Sequence, residues 1–537
     1  MRCISRHPWC SSHLARRLLW LLCCLALTAC ATLPEPVPSQ PAYALATAQA
    51  EATPLGRLTA RASNDPKLSG FKLLISGEDA LDTLIALADH AQKTLDLQYY
   101  LIRSDGSSRA IMRRVRAAAD RGVRVRLLLD DMNTAGQDEG LMRLTRHPNI
   151  DVRLYNPLPG GRLHVATRIL ASLMDFKRIN HRMHNKMFVA DNALAVTGGR
   201  NLGDSYFLRD KDSNFLDIDV LVAGPAVRAL SNTFDRFWNE PLAYPVAAVA
   251  DTRASAASAT GGDSASDGMD TGQVSAPTPV SASSRPVAEV RYPAFSRELD
   301  LGHLPLTWVG SRVLADRPSK MAQDAEPALD EVIYDDIDRL LLSAKRELVI
   351  ISPYFVPGEH GISLFRILRD RGVVVRVLTN SLATTDAPAV HIGYARYRVP
   401  LLQMGVELSE LKAKLNTPKN ASIGSLGSSR ASLHAKVLVI DGRVALVGSM
   451  NLDPRSSKLN TEMGVVMRSR ELAGQLIQVF NEVSAESYAL SLTPDHTLQW
   501  TAQPPDAALQ GQQEPGASTW LKLGIKLISP LAPEEML

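Results

Sequence analysis

The tetrapeptide Asp120-Arg121-Gly122-Val123 recurs as Asp370-Arg371-Gly372-Val373, 250 positions further along the chain. In the same register His184, Lys186, Asp191, Gly198 and Asn201 recur as His434, Lys436, Asp441, Gly448 and Asn451. One shared tetrapeptide could arise by chance, but five further identities at a single offset require an internal duplication. The chain must therefore fold as two copies of one unit, and the chemistry its motif performs is present twice.

Each copy carries the same coarse pattern. An apolar, β-rich run (Leu95 to Ile102; Leu348 to Phe355) precedes a helical stretch (Arg109 to Arg121; Ile362 to Arg371). The chain then turns at Arg-Gly into a second apolar run (Val123 to Leu129; Val373 to Leu378). Strand, helix, strand with short connections predicts right-handed βαβ units, a largely parallel sheet and helices on both faces. The expected fold class is α/β, with two duplicated α/β/α sandwich domains. Between the copies lies a stretch of almost pure Ala, Ser, Thr, Gly and Pro, too apolar-poor to offset its ordering entropy. The expected divisions are 1–29, an export signal; 30–66, a tether; 67–245, the first domain; 246–290, a disordered linker or insertion; 291–490, the second domain; and 491–537, a C-terminal tail.

The export signal is legible in charge and hydropathy. Arg2, Arg6, Arg16 and Arg17 precede the apolar run Leu18 to Leu27, which is too short to span a bilayer. Removing those four from the 59 basic residues leaves 55 against 56 acidic ones, a near-neutral body that makes nucleic acid an unlikely partner. All five cysteines fall in the first 30 residues, so the body offers no disulfide, no cysteine nucleophile and no cysteine metal site. The run ends in Leu27-Thr28-Ala29-Cys30, which resembles a bacterial lipobox, followed by the Pro-rich Pro34 to Pro38. That resemblance implies lipidation at Cys30 and a periplasm-facing protein anchored to a bacterial membrane; Ala31 after the cysteine favours the outer membrane. Near the other end, Trp520 to Ile528 is apolar and basic, either a membrane-interfacial segment or one packed on the domain.

The repeated motif is H-x-K-x4-D, as His184-Asn185-Lys186 through Asp191 and His434-Ala435-Lys436 through Asp441. In a strand, residues i and i+2 share a face, so histidine and lysine are expected to project together. Asp191-Asn192 and Asp441-Gly442 are hairpin-turn dipeptides. A two-residue loop would set Gly199 opposite His184 and Ser449 opposite His434, leaving space for a phosphate beside each imidazole. Histidine is a nucleophile that titrates near neutrality, and two lysines can neutralise the non-bridging oxygens of a phosphorane, so neither metal nor cofactor is expected. Asn201 and Asn451 can donate further hydrogen bonds there. Each imidazole needs a carboxylate to fix its tautomer. Asp217 and Glu462 stand at similar places after the two motifs, which pairs Asp217 with His184 and Glu462 with His434; Asp219 competes with Asp217.

These residues resemble the phospholipase D superfamily, whose signature is a duplicated H-x-K-x4-D, over roughly residues 67–490. The continuations Gly198-Gly199-Arg200-Asn201-Leu202-Gly203-Asp204-Ser205-Tyr206-Phe207 and Gly448-Ser449-Met450-Asn451-Leu452-Asp453-Pro454-Arg455-Ser456 are similar to the bacterial cardiolipin synthase branch, and within it to the cardiolipin synthase C-like group. The resemblance implies that the halves meet face to face with one active site at their interface. It implies His184, Lys186, Asp191, His434, Lys436 and Asp441 as catalytic motif residues, with His184 the nucleophile and His434 the general acid. From the turn positions alone, Asp191 and Asp441 are expected to be mainly structural. The implied activity is a phosphatidyltransferase using a phosphohistidine intermediate, with membrane phospholipids as partners: phosphatidylglycerol as acceptor, and phosphatidylglycerol or phosphatidylethanolamine as donor. A phospholipase D releasing phosphatidic acid and a periplasmic nuclease share the same chemistry. The better-known cardiolipin synthases begin with transmembrane helices, where this chain has a lipobox.

Overall fold

The computed structural model describes Leu33 and residues 40–63, 65–164, 166–168, 175–250, 294–321, 333–415, 429–502 and 514–528. Cys30, the Pro-rich segment after it and nearly all of the predicted linker lie outside the described residues.

The repeated tetrapeptide is a helix stop. Helices Gly106–Asp120 and Gly358–Asp370 end at its aspartate, and the glycine takes a left-handed conformation, with φ of +92° at Gly122 and +78° at Gly372. The Val123 N–H donates to the Ala118 carbonyl and the Val373 N–H to that of Leu368, satisfying carbonyls the helix leaves open. Each valine is fully buried and leads into the next strand.

Two nine-stranded sheets result. Seven strands of each follow one spatial order. In the first sheet it runs Ser69–Leu74, Asp219–Ala223, Leu194–Gly198, Met187–Ala190, Thr94–Tyr99, Arg124–Asp130, Ile150–Tyr155. In the second it runs Ser311–Ala315, Met463–Arg468, Val444–Gly448, Val437–Ile440, Glu347–Ile351, Val374–Asn380, Glu407–Leu411. Only the last three strands of each list are mutually parallel. The expectation of a largely parallel sheet is therefore corrected: βαβ units build one side, and the motif hairpins and their neighbours build an antiparallel remainder.

Helices cover both outer faces and fill the space between the sheets. Gly77–His90 and Gly106–Asp120 bury Leu84, Leu87, Ile111 and Val115 on the outer face of the first sheet. Tyr334–Leu342 and Gly358–Asp370 do the same for the second with Ile337, Leu341, Phe365 and Leu368. A third core joins both repeats and contains Val227, Leu230 and Phe234 of helix Pro225–Trp238 and Leu472, Leu476 and Val479 of helix Arg470–Ala485.

Three predicted boundaries move. Residues 40–62, expected in the tether, are docked: helix Pro54–Ala62 buries Leu55, and the Ala42 and Ala44 N–H groups donate to Asn239 and Asp235. Residues 294–309, expected in the second domain, belong to the first. Helix Ala294–Asp300 buries Phe295 and Leu299 in the first outer core, and Thr307–Val309 is an edge strand of the first sheet. The expected tail begins with Leu498–Ala502, an edge strand of the second sheet whose Trp500 indole donates to Glu410 at 2.9 Å. Added edge strands lie outside the repeat and carry no periodic signal.

The motif aspartates are backbone clamps. Asp191, fully buried, accepts from the N–H groups of Gln92, Lys93 and Thr94 at 3.0, 2.7 and 3.0 Å. Asp441 accepts from Lys345, Arg346 and Glu347 at 3.1, 2.7 and 3.0 Å. Partial burial acts to raise the Asp441 carboxyl, but those three donors outweigh it and hold the group below its ordinary value. Each clamp fixes the start of the strand beside its hairpin. Asp191→Ala should cost about 3 kcal/mol and Asp441→Ala, whose donors water can reach, about 1 kcal/mol. Denaturant midpoints measure this, and kcat of the folded fraction should stay within about twofold. A normal midpoint with a collapsed rate would put these carboxylates in the chemistry instead.

Candidate active site

His184 and His434 stand at crossings between the repeats. The strand Arg430–Leu433 of the second repeat pairs in parallel with Ser213–Leu216 of the first, and His434 and Ala435 then donate their N–H groups to the Leu216 carbonyl. Symmetrically, Met183 bridges Thr461, the His184 N–H donates to the Thr461 carbonyl at 3.0 Å, and the Thr461 N–H donates to that of Arg182. The histidine and lysine of each motif thus lie just before their own sheet strands, Met187–Ala190 and Val437–Ile440, rather than within them as expected.

This exchange overturns the predicted pairing of carboxylates. His184 Nδ1 donates to Glu462, at 3.0 Å from Oε2, and His434 Nδ1 donates to Asp217 Oδ2 at 2.6 Å. Each imidazole is oriented by a residue of the other repeat. Sequence proximity suggested the same-repeat pairing, and the parallel cross-pairing reverses it. Asp219, the competitor, is instead 3.3 Å from Arg200. With Nδ1 engaged, Nε2 is the reactive nitrogen of both rings.

The hairpin register is also one residue from that expected. The turns close as two-residue loops, the Ala193 N–H donating to the Ala190 carbonyl and Arg443 to Ile440, with positive φ at Asp191, Asn192, Asp441 and Gly442. The ladders then pair Ala190 with Leu194 and Ile440 with Val444, one step out from the two-residue register. Gly199 and Ser449 consequently serve the carboxylates. A Cβ on Gly199 would lie 2.1 Å from Asp217 Oδ1, and Ser449 Oγ donates to Glu462. Ser456 Oγ also donates to Glu462, at 2.9 Å, a contact the sequence did not signal.

The centre is buried. His184 is 8% and His434 5% exposed, Lys186 1%, Lys436 2%, Asp217 3% and Glu462 0%. Burial pushes Lys186 down to about 7 against the pull of Glu462, and pushes Lys436 down as well. Burial likewise lowers His184, helped by Lys186, Lys436 and His434, and lowers His434, where Asp217 opposes it. Burial raises Glu462 to about 7. Burial also acts to raise Asp217, but His434, Lys436 and Arg200 outweigh it and hold the carboxyl down to about 2. Each lysine donates to the main-chain carbonyl of its own histidine. Asn201 donates to the Tyr206 hydroxyl at 3.0 Å and Asn451 Nδ2 lies 3.5 Å from Ser456 Oγ, each leaving a buried Oδ1 without a partner.

Aromatic walls complete the site: Tyr100 is edge-on to His184 at 5.0 Å, and Tyr206 is edge-on to His434 at 5.2 Å while stacking on Phe215. Tyr354 donates to Asp386 at 2.8 Å beside His434. Asp386 falls 250 positions after Gly136, so the duplication could not reveal it.

Two imidazoles with fixed tautomers, flanked by two buried ammonium groups, define a phospholipase D-type enzyme built for phosphoryl-group chemistry. The family described as "Cardiolipin synthase, PLD-like domain" matches residues 84–238 and 337–484, and the chain belongs to it. It is 37% identical to cardiolipin synthase C of Escherichia coli over 486 residues, covering 88% of this chain and 98% of that protein. It is 25% identical to a cardiolipin synthase of Geobacillus kaustophilus over 80% of this chain and 69% of that one. The solved phosphatidylserine synthase of Haemophilus influenzae covers 90% of this chain and all of its own, with a TM-score of 0.54 at 14% identity, a likeness of fold.

The exchanged pairing has a spectroscopic consequence. In imidazole-15N NMR, Asp217→Asn should shift the Nδ1 and Nε2 resonances of His434 and leave those of His184 nearly in place, and Glu462→Gln should do the reverse. The opposite assignment would restore same-repeat pairing.

Proposed function

We propose that this protein is a cardiolipin synthase-type phosphatidyltransferase, moving a phosphatidyl group from a phospholipid donor through a phosphohistidine to phosphatidylglycerol. The observation that carries it is the pair of enclosed imidazoles, each fixed by the other repeat's carboxylate, around two buried lysines able to neutralise an anion. A phosphate diester is an anion of that kind. His184 Nε2 attacks phosphorus, the bond from phosphorus to the headgroup oxygen breaks, and His434 gives its Nε2 proton to the departing alcohol. The terminal hydroxyl of phosphatidylglycerol then loses its proton to His434 and attacks phosphorus, breaking the P–N bond and freeing cardiolipin. The ionised Asp217 suits His434 to carrying the proton, and the neutral His184 suits attack. Enclosure of both rings supports transfer over hydrolysis, because water must be kept from the intermediate.

Purified protein given vesicles of phosphatidylglycerol and phosphatidylethanolamine should yield cardiolipin, with released glycerol or ethanolamine identifying the donor. Phosphatidic acid without cardiolipin would make the enzyme a hydrolase. His184→Ala and His434→Ala should each lose at least about 1,000-fold in kcat, the double variant little more, since the two act as a unit. Turnover should also decline with rising pH. In the free enzyme Lys186 loses its proton near 7, so kcat/KM falls above that value, while kcat, measured with phosphate bound, falls at higher pH. Lys186→Arg, slower but permanently charged, should lose the alkaline limb; its persistence would exclude Lys186 as its source.

The lipobox reading completes the proposal: cleavage before Cys30 and lipidation leave the enzyme facing the periplasm, attached to the outer membrane. No helix among the described residues is long and apolar enough to cross a membrane. Cys30→Ser should accumulate as unprocessed precursor on immunoblots, and normal processing of that variant would dismiss the anchor.

A further inference from the structure

Two loops at repeat-equivalent positions flank the site. Residues 131–137 follow the strand Arg124–Asp130, and residues 381–387 follow Val374–Asn380. The first reaches His184 through Asn133, whose side-chain amide donates to the carbonyl of Tyr100 at 3.4 Å. The second carries Asp386, which Tyr354 holds and whose charge acts on His434. Each loop is backed by a segment distant in sequence that presents apolar side chains to solvent. Behind the first, the Gly136 N–H donates to the Arg162 carbonyl at 2.7 Å, and the next residue, Leu163, is 63% exposed. Behind the second runs the C-terminal segment. Glu514 accepts from Arg398 at 2.5 Å, and a Cβ on Gly516 would sit 3.3 Å from Ala383 Cβ. From there helix Thr519–Ile528 rises with Trp520 83% and Leu523 48% exposed.

Trp520 and Leu523 stand three positions apart on one helix, so these two open apolar side chains share a face. The chemistry of what that face meets is written in the segment: residues 515–533 contain Lys522 and Lys526 and no acidic residue, and Trp520 is the aromatic type that favours a headgroup boundary. The reaction proposed above adds the last constraint, because its substrates keep their acyl chains in a bilayer.

We propose that helix Thr519–Ile528 docks on an anionic phospholipid bilayer, with Trp520 and Leu523 in the headgroup–acyl boundary, and brings the loop at residues 381–387 beside it to the lipid. The helix delivers substrate that the catalytic residues then process. This rests on the phospholipid reading of the site, and the test separates the two.

The full-length protein is reconstituted into vesicles of phosphatidylglycerol and phosphatidylethanolamine containing lipids brominated near the headgroup end of the chain. Fluorescence of the wild type minus that of Trp520→Phe isolates Trp520. Docking predicts strong quenching of that component, weakened about threefold or more when phosphatidylglycerol is replaced by phosphatidylcholine. The variant Trp520→Ser/Leu523→Ser should lose about five- to tenfold in vesicle turnover and keep turnover on short-chain phospholipids dissolved as monomers. Absence of quenching overturns the docking, as does an equal loss on both substrates, which would mark a structural helix. Protection of Trp520 by a second copy, seen as a Trp520-dependent dimer in sedimentation velocity, overturns it too. Quenching without turnover on either substrate would retain the docking and reject the phosphatidyltransferase reading.

Discussion

Each repeat lends the other an extended segment, and the catalytic centre depends on that exchange. The parallel pairing of Arg430–Leu433 with Ser213–Leu216 sets His434 against the Leu216 carbonyl, one residue before Asp217. The bridge between Met183 and Thr461 sets His184 one residue before Glu462 in the same way. Main-chain hydrogen bonds thereby fix the spacing of two buried imidazole–carboxylate contacts that side-chain packing alone would hold poorly. A buried carboxylate without its imidazole, or the reverse, would carry a desolvation cost of several kcal/mol. Repeat association and active-site assembly are therefore one event.

Periodicity and turn chemistry made much of this legible before any coordinates. The helix stops at Gly122 and Gly372, the hairpins at Asp191 and Asp441 and the strand–helix–strand unit before each hairpin all follow from local patterns written twice. What escaped was whatever breaks or crosses the repeat. Asp217 and Glu462 were found by position but assigned to the wrong histidines, because sequence order says nothing about which strand edge a segment joins. Gly199 and Ser449 were singled out for their small size, and a one-residue shift beyond the turn gave that size a different use beside Asp217 and Glu462. Residues 294–309 crossed a boundary drawn by composition, since an edge strand is decided by the sheet it completes. Asp386 had no counterpart to betray it.

Near-symmetry of sequence coexists with asymmetry of charge. Asp217, surrounded by His434, Lys436 and Arg200, is held ionised, whereas burial raises Glu462 to about 7 against Lys186 and two serine hydroxyls that pull it down. Two carboxylates whose environments drive them apart distinguish the two histidines where the motif does not. Asp386 sits on the His434 side, where the proposed leaving alcohol receives its proton.

Gly310 is the single residue between Val309, last in the edge strand of the first sheet, and Ser311, first in the second. Its carbonyl accepts from the Arg468 N–H at 3.0 Å, so even this link is tied down. With the sheets stitched there and laced together again at the two histidines, the halves cannot swing apart like jaws. Swinging the halves open would break the main-chain hydrogen bonds at both crossings, so any movement that admits a reactant falls to the side chains and loops around the two histidines.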